Sequence, residues 1–205
     1  EAEQLTNIVA VASAFEVMPV TVTSSVVSGP HGTLAVLSNR EGRTMDGWKP
    51  YAGEARSFYA NSDYGPEGYR AANEIILATG ASQTTVAHEL VHGWTFRDVA
   101  PDEYVLALLG DEMRSFMAAA GWEQLGTDED VRSAAREPWE TVNTLFAYVG
   151  PPLLYVDAYG NEATLVADNP LEAIASTGAL YYARPAGTPL PAWPATWAWF
   201  DAAFA

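Results

Sequence analysis

The stretch Thr85-Val86-Ala87-His88-Glu89-Leu90-Val91-His92-Gly93-Trp94 constrains this chain more than any other. It contains His-Glu-x-x-His. Four residues make about one helical turn, so on a helix His88 and His92 share a face. Two neutral imidazoles at that spacing can reach one metal ion, and Glu89 then stands where it can take a proton from a water held by that ion. Val86, Ala87, Leu90, Val91 and Trp94 are apolar, so the polar residues are wrapped in core-forming surface. The rival reading is a chance match on a helix with two structural histidines. Against it, the chain has 3 histidines and spends two of them here, and a strand-like run over Glu74–Gly80 precedes the helix after a short polar turn. The motif therefore comes with the context a metal site requires, and zinc is the simplest ion for such ligands.

At 205 residues the chain suits a single domain, with an N-terminal α/β part over about 1–98 and a C-terminal helical part over about 99–205. Hydrophobic residues make up 49%, which excludes a disordered chain. The longest apolar runs are far too short to span a bilayer, so membrane insertion is not expected. The net charge of −16 argues against nucleic acid and anionic membrane surfaces as partners and favours solubility and basic peptides. The absence of cysteine rules out a thiol nucleophile and Cys-liganded zinc. A first residue of Glu1 in place of Met, with an acidic and soluble composition, leads us to expect a secreted mature protein or an excised domain.

In chain order, Leu5, Ile8, Val9, Ala12 and Phe15 have helical spacing, predicting an amphipathic helix over 3–17 that Pro19 ends. Val20–Val27 is β-branched and alternating, which predicts a strand. Further strands are expected at Thr33–Leu37, Ser57–Ala60 and Ile75–Leu77, with turn chemistry over Asn61–Gly68. Ile75–Leu77 would be an edge strand beside a metal helix at about 83–96, a geometry suited to binding an extended peptide. Beyond it, helices are expected from Pro101 through Ala120, from Asp128 through Val149, and from Asp168 through Tyr182, with an extended segment at Leu153–Asp157 and a turn at Tyr159–Asn161. Strands before the motif and helices after it define an α+β chain, with a small mixed sheet beside the metal helix.

A catalytic zinc site takes three protein ligands and keeps an open position. Four residues compete to complete it. Asp98 stands six residues after His92, the metzincin offset, but the glycine those enzymes need is Thr95 here. Asp130 follows Gly126-Thr127 in an aspzincin-like order, yet Asp128-Glu129-Asp130 also reads as a helix-capping cluster. Glu140 lies on a predicted helix, where a solvated glutamate is the commoner outcome. Glu172 sits in the first turn after Asn169-Pro170 among Leu171, Ala173, Ile174 and Ala175, a setting that is costly for a carboxylate without a partner. Glu172 is preferred, and the other three remain open.

His88-Glu-Leu-Val-His92 followed by Asp168-Asn-Pro-Leu-Glu172-Ala-Ile-Ala-Ser-Thr-Gly-Ala-Leu-Tyr-Tyr182 resembles gluzincin metallopeptidases. It is most similar to bacterial zinc peptidases and to the catalytic domain of anthrax lethal factor. The resemblance covers residues 74–96 and 166–183. It implies a zincin-like fold, with zinc held by His88, His92 and Glu172 and a peptide bond cleaved with Glu89 as general base. The second glutamate of that family's helix is Ser176 here, and Ile174 replaces an aromatic. Because gluzincins often stabilise the oxyanion with a Tyr or His, Tyr155 and Tyr159 are the candidates, His31 being far upstream. Two other functions stay open: a zinc-binding pseudopeptidase acting as a binding module, which Ser176 favours, and the catalytic part of a secreted toxin.

Overall fold

The computed structural model describes residues 2–28, 33–38, 58–65, 68–77, 80–100, 103–135, 139–151, 154–156, 162–164 and 167–204. The chain is mixed α and β, with more residues in helices than in its small sheets. It divides into two compact units, Glu1–Asp102 and Glu103–Ala205. None of the described helices is long and apolar enough to cross a membrane.

The first unit opens with α1 (Ala2–Val17) and α2 (Val20–Val27) and continues through β1 (Ala35–Ser38), β2 (Phe58–Gly65) and β3 (Gly68–Leu77) to α3 (Gln83–Thr95). The strands form one mixed sheet in the order β1-β3-β2, with β1 parallel and β2 antiparallel to β3. The expected edge strand is therefore the central one. β3 pairs on both sides, with Val36 opposite Ile75 on one and Tyr59 opposite Ile75 on the other. Asn61–Gly68, read as turn chemistry, mostly extends the β2–β3 ladder, which closes at Gly65 opposite Gly68. Helix α3 packs on β2 and β3 and against α1 and α2. Its apolar residues Val86, Ala87, Leu90 and Val91 are fully buried, as is Ile75 of β3.

Two readings of the N-terminal segment need correction. Val20–Val27 is a helix, not a strand. Val22 and Val26, the two valines it buries, stand four apart, which is two strand repeats and about one helical turn. Their spacing cannot tell the two states apart. The hydroxyls of this segment turn inward along the helix: Ser24 donates to the carbonyl of Val20 at 2.6 Å and Ser25 to that of Val22 at 2.9 Å. The carboxamide of Asn73, buried in β3, donates to the Val26 carbonyl at 2.5 Å and satisfies an acceptor at the helix end. Helix α1 forms where expected but with its faces reversed. Ala10 and Ala14 are buried, while Leu5, Ile8 and Val9 are 62%, 64% and 56% exposed. The small residues allow close approach to α3, and the larger apolar stripe lies on the other side.

The second unit runs from a 3-10 helix at Tyr104–Leu109 through α4 (Asp111–Ala120), β4 (Trp122–Gln124), α5 (Asp128–Ala134), α6 (Trp139–Asn143), β5 (Phe146–Tyr148), β6 (Leu154–Val156) and β7 (Glu162–Thr164) to α7 (Pro170–Ala183) and α8 (Pro194–Ala203). The helix expected from Pro101 through Ala120 breaks at Gly110, whose backbone is extended at φ −71 and ψ 150. The helix expected from Asp128 through Val149 becomes two short helices and a strand, and β5 returns to pair antiparallel with β4. Gly121 makes the corner between α4 and β4. Its φ is +84, and a Cβ there would stand 2.8 Å from the Cα of Gly150. Helix α8 packs on α4, and Phe116 and Phe200 are fully buried with ring centroids 6.0 Å apart. The predicted extended segment at Leu153–Asp157 includes β6, which pairs with β7; the expected turn at Tyr159–Asn161 lies outside the described residues.

Candidate metal centre

Helix α3 begins where its sequence says it should. Gly80 takes a left-handed backbone, φ +73, just before it. Ser82 then caps the helix, its hydroxyl accepting from the Thr85 N–H at 3.1 Å. The preceding Ala81 N–H donates to Asn7 Oδ1 at 3.1 Å and ties the helix start to α1. From this anchored start the helical repeat carries His88 and His92 onto one face. Their Nε2 atoms are 3.0 Å apart and their rings meet edge-on, with centroids 4.7 Å apart and planes at 79°. Two nitrogens bound tetrahedrally at about 2.0–2.1 Å from one zinc ion stand about 3.3 Å apart. The pair thus converges at close to the span of shared ligation, a separation at which the two rings also hydrogen-bond one another. This is the fit of the donor set to such an ion.

Glu89 is only 4% exposed, and His92 is buried beside it in sequence. A carboxylate in such surroundings is costly unless a partner compensates it. The helix stops just past the motif. Phe96, at its C-cap, sends its N–H to the His92 carbonyl at 2.9 Å, and the Thr95 hydroxyl donates to Val91 O at 2.8 Å. Arg97 folds back to donate to the Trp94 carbonyl at 2.8 Å, its guanidinium 4.3 Å from the Trp94 ring centroid.

Glu172 lies in the first turn of α7. Asn169 is its N-cap, fully buried, and its Oδ1 accepts from the Leu171 and Glu172 N–H groups at 2.9 and 3.1 Å. Its Nδ2 donates to Asn143 Oδ1 at 2.9 Å. Pro170 takes the first helical position, where a missing N–H is harmless. Glu172 is half-buried between the fully buried Leu171 and the buried Ala173. His88 and His92 each offer an imidazole nitrogen and Glu172 a carboxylate oxygen, ligand-atom types that a metal ion takes.

Two rivals for the third ligand, Asp98 and Asp130, have partners of their own. Asp98 is 79% exposed and pairs with its neighbour Arg97 at 3.2 Å. Asp130 is exposed and closes a capping box with Thr127, accepting from its N–H and hydroxyl at 2.7 Å each. Those bonds hold its carboxyl below the usual carboxylate range. The capping reading of Asp128–Asp130 is the one the geometry carries. Glu140 is in α6, with its side chain outside the described residues, as are the side chain of Tyr155 in β6 and the whole of Tyr159 and His31. The sequence reading missed Phe96, whose ring stacks on His92; the i, i+4 spacing of His92 and Phe96 was the signal available.

No protein-family model matches the chain, and neither the curated proteins nor the solved structures give a match. The resemblance to gluzincins therefore rests on the motif residues themselves.

Proposed function

We propose that the chain is a zinc-dependent peptidase of zincin-like fold, with His88, His92 and Glu172 holding the ion. The observation that carries this reading is the convergence of the two imidazole Nε2 atoms at 3.0 Å on a helix that also buries Glu89. The two histidines and a carboxylate are the donor types of a catalytic zinc site. When bound, the ion supplies Lewis acidity toward a water and a substrate carbonyl. Glu89 accepts the proton of the attacking water and passes it to the leaving amine. Tyr155 and Tyr159 are our candidates for the hydrogen-bond donor to the oxyanion. The choice of a peptide bond as substrate rests on the gluzincin resemblance of residues 74–96 and 166–183. A metal-holding binding module is the second reading, and the replacement of the family's second glutamate by Ser176 favours it.

The test is cleavage of a diverse peptide library by zinc-loaded protein beside Glu89→Gln. Loss of the general base is expected to slow cleavage by about 10²–10⁴-fold while leaving zinc content unchanged. Equal zinc content with no cleavage by either protein would favour the binding module. Absence of zinc uptake by the unaltered chain would remove both readings.

A further inference from the structure

Phe96 follows His92 by one helical turn, at the point where α3 ends with φ −93 and ψ 1. Its ring lies nearly parallel to the imidazole, with centroids 5.5 Å apart and planes 12° apart, an offset stack within the usual range for aromatic pairs. Phe96 is 7% exposed, so its ring is itself held by packing. The bond from its N–H to the His92 carbonyl fixes the two residues' backbones as well. On another side the His88 ring approaches His92 edge-on. The imidazole of His92 is therefore bounded by a flat surface and by the ring whose Nε2 it faces.

We propose that Phe96 is a positioning residue for His92, holding the imidazole plane so that Nε2 stays directed toward Nε2 of His88. This rests on the metal reading of the same histidine pair. The χ2 torsion of histidine has broad wells, so the ring can tilt and carry Nε2 out of line with Nε2 of His88. A planar neighbour restricts that torsion in a way an aliphatic one does not. Leucine at this position would supply apolar surface but neither a flat face nor a ring quadrupole.

The experiment uses the full chain with Co²⁺ alone as the probe, comparing the unaltered protein with Phe96→Leu, Phe96→Tyr and Phe116→Leu. Phe96→Leu is expected to weaken Co²⁺ binding about 2- to 10-fold, the range of an aromatic pair, and to change the ligand-field absorption of the bound ion. Phe96→Tyr, which keeps the ring, should restore both. Phe116→Leu also removes a buried ring, one that packs on Trp199 and Phe200, and is expected to lower stability with Co²⁺ affinity unchanged. Without metal, nuclear Overhauser contacts between the His88 and His92 ring protons should report one fixed arrangement of the two rings, blurred in Phe96→Leu and kept in Phe96→Tyr. If the unaltered chain takes up no Co²⁺, the metal reading fails, and these metal-free contacts decide the positioning claim by themselves. Unchanged His88–His92 ring contacts in Phe96→Leu would overturn it, as would Co²⁺ affinity falling equally in Phe96→Leu and Phe96→Tyr.

Discussion

Helices α3 and α7 solve one problem, the placement of a polar side chain on a buried helix, in opposite ways. In α3 the polar residues Glu89, His92 and Thr95 run from the middle of the helix to its last turn and are buried. Their placement follows from the helical repeat and from side-chain packing such as the Phe96 stack. The body of α7 is almost wholly apolar or small, with Leu171, Ala173, Ile174, Ala175, Ala179 and Leu180 buried. Its carboxylate, Glu172, is set in the first turn by a cap. The Asn169 carboxamide holds the Glu172 N–H directly. One helix thus orients its groups away from its N-terminal cap and the other directly at that cap.

That contrast breaks most sharply at the two caps. Asn169→Ala is expected to destabilise the protein by about 2 kcal/mol, at the upper end for a cap, because it removes two accepted bonds and the part-buried bond to Asn143. It should also weaken metal binding through Glu172. Thermal unfolding and metal competition on the same variant check both. Ser82→Ala should cost less, about 1 kcal/mol, since Ser82 is exposed. Metal affinity is expected to stay unchanged, because the histidines lie more than a turn inside α3. Equal loss of metal affinity in both variants would show that the two helices do not differ in the way described.

The C-terminal end of α7 gives a smaller effect. The Tyr181 hydroxyl donates to Asp201 Oδ1 at 2.6 Å, and that bond, with some burial, raises its pKa. Burial raises that of Tyr182 further, aided by the charges of Tyr181 and Asp201. A raised folded-state value means that the folded chain keeps its phenolic protons longer than the unfolded chain. The associated stability is complete below pH about 10, where unfolded tyrosine titrates, and is lost as pH rises toward the folded values. Denaturant unfolding at stepped alkaline pH should therefore show a steeper loss in the unaltered protein than in Tyr182→Phe. Identical slopes would mean that these phenols titrate alike in both states.

Both helices were legible. The extent of α3 was readable from the motif and its apolar wrapping, and the start of α7 from Asn169-Pro170, because helical spacing and a first-turn proline act locally. By contrast, the strand reading of Val20–Val27 failed because tertiary packing selects Val22 and Val26 at a spacing both periods share. The break at Gly110 and the return of Phe146–Tyr148 to Trp122–Gln124 depend on partners distant in sequence. At the candidate site, His88, Glu89 and His92 were readable from spacing. Preference for Glu172 over Asp98 and Asp130 came from its apolar neighbours, and the ion pair of Asp98 and the capping box of Asp130 agree with setting those two aside.

The central place of β3 bears on the order in which the first unit can assemble. β2 and β3 meet through a short local connection, a contact that a chain samples quickly, whereas β1 must wait across a long intervening segment for the same partner. The hairpin over 58–77 is thus the natural nucleus, β1 a later addition, and α3, next in the chain, arrives when the middle of its supporting sheet has only just been made. The face of α3 that packs on β2 and β3 can accordingly form before β1 completes the sheet.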